Sequence, residues 1–292
     1  MSWRTVVITG VAKLDYKMDH LVVRKKEGVV KTYLGDLGTL IIESTAISLT
    51  AVLLSELAKK KVKVIFCDEK HNPQSELVSY YGSHDSSGKV KNQISWTDKV
   101  KEEVWTEIVT EKIRKQMSFL NKLSYKEQGE LLSQYIQEMT PGDESNREGH
   151  AAKVYFNALF GLDFTRSLEN STNAALNYGY GILLACFNRE VVSNGYITQI
   201  GLFHSNMFNH FNLSSDLMEP FRVLVDKKVV HLQNESFGPE EKMALVDILN
   251  EEVLIDGKMN TVNNAIKIYC RSVFEALNEG DISLLKFYKD EL

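Results

Sequence analysis

Near the start of the chain apolar residues come in short blocks, RTVVITG, HLVVRKK, VVKTYL and TLIIES, parted by turn material such as KKEG and GDLG. Valine, isoleucine and threonine in runs of this length, closed off by glycine and charge, predict β-strands. After Ser44 the period changes. In SLTAVLLSELAKKK the apolar positions Leu49, Val52, Leu53 and Leu57 recur at helical spacing, and KVKVIFCD then predicts another strand. Residues 1–85 therefore read as a small, mainly-β domain with one helix. The stretch HDSSGKVKNQ, from His84 to Gln93, offers little to bury and reads as loop, so residues 86–95 are expected to be a linker.

From Trp96 onward the pattern is helical. DKVKEEVWTEIVTEKIRKQMSFL sets Val100, Val104 and Ile108, then Val109, Ile113 and Met117, along an apolar stripe. Ser124 and Glu127 have capping-box spacing and predict the start of the next helix. NAALNYGYGILLACF is too apolar for a surface helix and is expected at the centre of the domain. Pro239 suits the first turn of a further helix, and TVNNAIKIYCRSVFEAL predicts another. The fold class is α+β: the β-rich unit is followed by a larger all-α domain over residues 96–292. No internal repeat interrupts this order.

At 292 residues, with 43% hydrophobic and 25% charged residues, the chain has the composition of an ordinary soluble globular protein. No apolar stretch approaches the ~20 residues of a membrane span, and the start, MSWRTVVITG, reads as a strand and not as a signal peptide. Cys67, Cys186 and Cys270 are far apart in apolar contexts, which points to reduced buried thiols and a cytoplasmic protein. A net charge of −5 taken alone speaks against nucleic acid. However, residues 1–96 carry a basic excess and the remainder an acidic one. Acidic residues that hold metal ions are compatible with DNA as substrate.

Three places in the helical domain carry polar residues on apolar ground. In SNREGHAAKVYFNALFG, Ser145 to Glu148 spells a capping box, so Glu148 reads first as a helix cap. It also shares a face with Ala151, Ala152 and Tyr155, small or buried-looking neighbours that leave room at the carboxylate. GLFHSNMFNHF holds His204 and His210, six apart and so not on one helical face. FNLSSDLMEPFR holds Asp216 and Glu219 at i, i+3, with Arg222 three further on as a local ion-pair partner and Pro220 confined to a first turn or a kink. Glu148, His204 and Glu219 together supply two carboxylates and an imidazole. That set suits Mg²⁺ or Mn²⁺ and phosphodiester chemistry, and no cysteine lies near for a thiolate zinc site.

In order and spacing, SNREGHAAKVYFNALFG, NAALNYGYGIL, GLFH and SSDLMEPFR resemble the CRISPR-associated spacer-integrase family, the universal nuclease of CRISPR adaptation. LIIESTAISLTAVLLSELAKKKVKVIFCD is similar to that family's strand–helix–strand segment, so the resemblance spans essentially the whole chain, and it is nearest to members from type II systems. It implies that Glu148, His204 and Glu219 are metal ligands, with Asp216 as the neighbouring acidic residue of the catalytic set. It places Arg222 against phosphate, with Lys153 as a further phosphate contact. Tyr178 takes the place of the family's central-helix tyrosine, with Tyr180 the alternative. His210 matches no ligand position.

The resemblance further implies a metal-dependent endonuclease and integrase. It would join the 3′-hydroxyl ends of a captured DNA fragment to the CRISPR repeat by transesterification. The family works as a homodimer bridged by a small ferredoxin-like partner, with other proteins of the same system as further partners, and the β domain would serve for dimerisation. Three alternatives are a stand-alone nuclease, a non-catalytic scaffold of an adaptation assembly, and an iron oxygenase using His204, His210 and a carboxylate.

Overall fold

The structure, a computed structural model, describes residues 4–69, 71–78, 83–232 and 236–289. The N-terminal region runs β1 (Arg4–Ile8), β2 (Ala12–Lys17), β3 (His20–Lys25), β4 (Gly28–Tyr33), β5 (Leu37–Ile42), β6 (Ile47–Leu49), α1 (Ala51–Lys59), β7 (Lys63–Cys67) and β8 (Pro73–Glu76). These strands form two four-stranded sheets, ordered β1-β5-β7-β8 and β4-β3-β2-β6. In the first, β1, β5 and β7 are parallel and β8 is antiparallel to β7; in the second, only β2 and β6 are parallel. All strands and the helix predicted for this region are present. The additional strands β2, β6 and β8 are short or carry polar residues such as AKLDYK and PQSE, which leaves no apolar run to mark them.

Every residue of β5 is buried, the expected state of a parallel strand covered on both faces. On one face Leu37, Leu40 and Ile42 pack with Leu53 and Leu57 of α1. On the other, Ile41 and, from β7, Ile65 and Cys67 belong to the core of the helical region. The two regions therefore share a packed boundary.

The helical region comprises α2 (Ser86–Ser95), α3 (Asp98–Lys122), α4 (Lys126–Gln137), α5 (Arg147–Phe160), α6 (Ser171–Ser193), α7 (Asn212–Leu217), α8 (Arg222–Leu232), α9 (Pro239–Asp247), the hairpin β9 (Glu252–Ile255) and β10 (Lys258–Thr261), and α10 (Val262–Glu279). The segment expected as a loop, residues 86–95, is the helix α2. Its anchor is tertiary: the buried Gln93 amide donates to the carbonyls of Ile197 and Ile200 at 2.9 Å and accepts from the Ile197 N–H at 3.0 Å. The capping box at Ser124 and Glu127 does not form. Ser124 sits at φ 68°, taken up by the left-handed turn that ends α3, and Tyr125 stands at the N-cap of α4 without a side-chain cap. The β9–β10 hairpin departs from the all-α expectation for this region; its Asp256-Gly257 turn, with φ of 53° and 72°, is of the kind that closes two-residue hairpins.

Of the predicted stripe α3 buries Val104, Ile108, Val109 and Ile113, with Val100 and Met117 partly buried; it buries Trp105 as well and packs against α4, α5, α7, α8 and α10. α6 is central as expected, with most of its residues buried. Pro239 occupies the first turn of α9. Cys67, Cys186 and Cys270 are free and buried. Among the described residues no helix is long and apolar enough to cross a membrane.

Candidate metal and DNA site

The entry to α5 decides what Glu148 is free to do. Gly142 turns the chain at φ 67°, and the Asp143 carboxylate then accepts the N–H groups of Arg147 at 2.7 Å and Glu148 at 3.0 Å. Asp143, not Ser145 or Glu148, satisfies the exposed donors of the first turn. The Glu148 side chain is thereby released toward α3, where its carboxylate pairs with the ammonium of Lys112.

Lys112 also reaches Glu219 Oε2, at 2.5 Å, so one buried ammonium bridges the two carboxylates. Glu219 stands in a single 3₁₀ turn, Glu219–Phe221, between α7 and α8. Pro220 fits there because that turn needs no N–H from it, and its carbonyl accepts the Tyr288 hydroxyl at 3.1 Å. The Arg222 Nε donates to Glu219 Oε1 at 2.8 Å. Burial alone would raise the pKa of Glu219, but Arg222 and Lys112 outweigh it and hold the carboxyl down at about 2. Lys112 and Arg222 are in turn raised, because their carboxylate partners outweigh the cost of burial.

His204 comes from the loop between α6 and α7. The fully buried Asp216 organises that loop: its Oδ2 accepts the N–H groups of Leu202 at 2.6 Å and Phe203 at 3.1 Å, and its Oδ1 accepts the His204 N–H at 3.1 Å. Asp216 Oδ1 also bonds His204 Nδ1, which leaves the Nε2 edge for other partners. That hydrogen bond raises the His204 pKa against the opposing effect of burial, and Glu219 adds to the rise. Trp105 supports the loop from α3, stacking on Phe203 at 4.7 Å and meeting the His204 ring edge-on at 5.8 Å. Trp105 and Lys112 are two turns apart on one face of α3, so one helix backs both the histidine and the carboxylates.

The structure thus gathers Glu148, Glu219 and Arg222 around Lys112, with His204 beside them. Asp216 is committed to His204 and its loop, a supporting position. The three expected ligands do not close on a point as they stand: among the described residues no cluster of three or more His, Cys, Asp and Glu side chains is set to hold a metal. Lys112 fills the gap between the carboxylates. The donor chemistry nevertheless fits a hard divalent ion, since two carboxylates converge on a single positive charge next to an imidazole with its tautomer fixed.

The other expected residues separate. Tyr178 is buried edge-on to Phe237 at 5.6 Å, under the Lys242 ammonium. Tyr180 faces the site: Arg222 lies over its ring at 4.7 Å, Arg166 at 5.3 Å, and its hydroxyl donates to Asp226. Burial pushes Asp226 up to about 6, against the hydrogen bond from Tyr180. Lys153 is exposed on α5. His210 is exposed, with its ring against Phe211, and does not join His204 around a shared carboxylate. Lys112, Asp143, Trp105 and Asp226 carried no local sign of a site. Lys112 lies in the charged run EKIRKQ, where a solvated lysine is the ordinary expectation.

Residues 5–243 match the family model described as CRISPR associated protein Cas1. A CRISPR-associated endonuclease Cas1 from Neisseria meningitidis serogroup C (strain 8013) is 33% identical over 261 residues, 88% of this chain and 86% of the relative. The chain belongs to the Cas1 family of CRISPR-associated proteins. Two solved structures share the fold. A casposase bound to an integration product matches with TM-score 0.80 and 20% identity, over 96% of this chain and 92% of the other. A chain of a Cas6-RT-Cas1–Cas2 complex matches with TM-score 0.76 and 18% identity over the whole of this chain, which spans 36% of that longer one.

Proposed function

We propose that this protein is a metal-dependent DNA endonuclease and integrase of CRISPR adaptation. It joins the 3′-hydroxyl ends of captured DNA fragments to the CRISPR repeat by transesterification. The observation that carries this reading is the convergence of two carboxylates, Glu148 and Glu219, on one positive charge beside an imidazole held by a buried aspartate.

Glu148, Glu219 and His204 would hold Mg²⁺ or Mn²⁺. When bound, such an ion polarises the scissile phosphate and makes the attacking hydroxyl more acidic. Asp216 keeps the His204 Nε2 edge turned to the site, and Trp105 limits the tilt of the ring. Arg222, stacked on Tyr180 and bonded to Glu219, presents its remaining N–H groups to a phosphate oxygen. Lys153, exposed on the same helix as Glu148, serves as a further backbone contact, and Tyr180 takes the supporting role otherwise expected of Tyr178. In the reaction the 3′-oxygen of the fragment forms a new P–O bond as the P–O3′ bond of the repeat breaks. The number of phosphodiester bonds is conserved and no protein atom becomes covalently attached.

Homodimerisation through the β region and assembly with a small ferredoxin-like protein belong to the same reading; the fold shared with a chain of a Cas6-RT-Cas1–Cas2 complex is compatible with another Cas protein as partner. The buried free thiols fit a reducing cytoplasm. Fragment capture rests on backbone charge and shape, so affinity should fall steeply with salt.

The test is strand transfer from a short duplex with free 3′ ends into a supercoiled plasmid carrying a repeat, with Mn²⁺ or Mg²⁺, for wild type and Glu148→Ala. Joining that requires metal and vanishes in the variant supports the reading. Joining that persists in the variant removes Glu148 from the site. A second reading is a nuclease without joining activity, favoured by the endonuclease name of the Neisseria meningitidis relative. Cleavage without joined product, even with the small partner protein present, would select it.

A further inference from the structure

The proposed metal position lies where Lys112 already places a positive charge. The Lys112 side chain is only 7% exposed, and its ammonium touches both Glu148 and Glu219. Arg222 takes the second oxygen of Glu219. Two carboxylates are thus matched one for one by two cations on separate helices. An ammonium and a divalent ion in one water-poor gap repel strongly. An ion entering this balanced set must displace Lys112 or leave an uncompensated excess of positive charge, and either outcome opposes binding.

We infer that Lys112 is a resident counter-ion that makes metal binding conditional on DNA. The inference rests on the metal site proposed above. A scissile phosphodiester brings the negative charge that a metal-loaded site lacks, and it offers the displaced ammonium a new partner. Metal and DNA then bind with positive coupling, and the coupling is reciprocal: each raises affinity for the other by the same factor. In the free protein Lys112 competes for Glu148 and Glu219, so little metal is held and the site stays inert toward DNA that does not seat a phosphate against it. The lysine also keeps the carboxylates apart from each other and in place, ready for exchange of one cation for another.

The experiment measures Mn²⁺ binding from the free-ion signal in electron paramagnetic resonance. It is run with and without a duplex whose 3′ ends are dideoxy-terminated, so that no joining occurs. Wild type is expected to bind Mn²⁺ about tenfold more tightly, or better, when the duplex is present. Lys112→Met keeps the apolar stem and removes the charge. It should bind Mn²⁺ at least about tenfold more tightly than wild type in the absence of DNA and lose most of the coupling, whereas Lys112→Arg should keep it. Equal wild-type affinity with and without duplex overturns the inference, and that comparison stands even if Lys112→Met does not fold. Unchanged or weaker DNA-free affinity in Lys112→Met overturns it as well. Metal-dependent joining by wild type in the same preparation would leave the proposed function intact in both cases. Absence of Mn²⁺ binding by wild type both with and without the duplex overturns the metal site and this inference together.

Discussion

Asp216 binds His204 twice, through its backbone N–H at 3.1 Å and through its ring Nδ1, while also holding the N–H groups of Leu202 and Phe203. One buried carboxylate therefore fixes both the path of the loop and the face its histidine presents. Asp216→Asn turns one acceptor oxygen into a donor opposite these N–H groups. Mn²⁺ affinity should weaken about 10- to 100-fold, the usual effect of losing a residue that orients a metal-binding histidine. Metal titration of the folded variant checks this, and unchanged affinity would contradict the role given to Asp216.

The division of labour between Asp143 and Glu148 can be separated by mutation. Glu148→Gln should abolish strand joining, yet the first turn of α5 stays capped because Asp143 makes both N–H contacts. Asp143→Ala should instead cost about 1–2 kcal/mol of stability through the lost cap. Urea unfolding alongside the joining assay distinguishes the pair. A larger stability loss in Glu148→Gln than in Asp143→Ala would show that Glu148 is chiefly structural.

Gly201 has no room for a side chain. A Cβ there would lie 2.5 Å from the His204 carbonyl and 2.6 Å from Asp216 Oδ2. Both are held atoms of the site, not ends of flexible side chains. Gly201→Ala should shift the loop, cost about 1–3 kcal/mol and lower joining far more than Ala substitution at exposed Met207 in the same loop. Parallel thermal melts and joining rates test it; wild-type activity in Gly201→Ala would refute the loop geometry.

Asp226 gives a pH signature. Its folded pKa, about 6, lies above the ordinary aspartate value of 3.8, so between these values the native state binds more protons than the unfolded one. Stability from this group is present at low pH and is lost as pH rises through about 4 to 6. Asp226→Asn removes that loss and keeps an oxygen for the Tyr180 hydroxyl. Relative to wild type the variant should gain stability across this window, by up to about 3 kcal/mol, and then level off. Denaturant midpoints from pH 4 to 7 provide the measurement. A difference that does not change with pH would contradict the assignment.

The strands β1, β3, β4, β5 and β7, the helix α1, the α3 stripe and the central α6 are legible because each carries its burial pattern in contiguous residues. α2 was not, since what fixes it is Gln93 bonding to a loop more than a hundred residues away. β2, β6 and β8 take their strand character from neighbours in the sheets, not from apolar runs. Ser145 and Ser124 each headed a capping-box pattern that went unused. A stronger cap from Asp143 and a left-handed helix end, respectively, decided those positions.

What the sequence determined by itself was the order of a β-rich and a helical region and the residue types offered for the candidate site: Glu148, His204, Asp216, Glu219 and Arg222. Chemistry is written in side-chain identity, and periodicity is a local property. What only tertiary structure decided was the assignment of roles. Asp216 and Glu219, three residues apart, serve different partners because a 3₁₀ turn separates α7 from α8. Tyr180, not Tyr178, lies beside Arg222 because a rotation of two residues on α6 turns the ring to another face. Lys112 became part of the site only when α3 brought it between two glutamates distant in the chain. Electrostatic partnership depends on separation in space, and local sequence does not encode that distance.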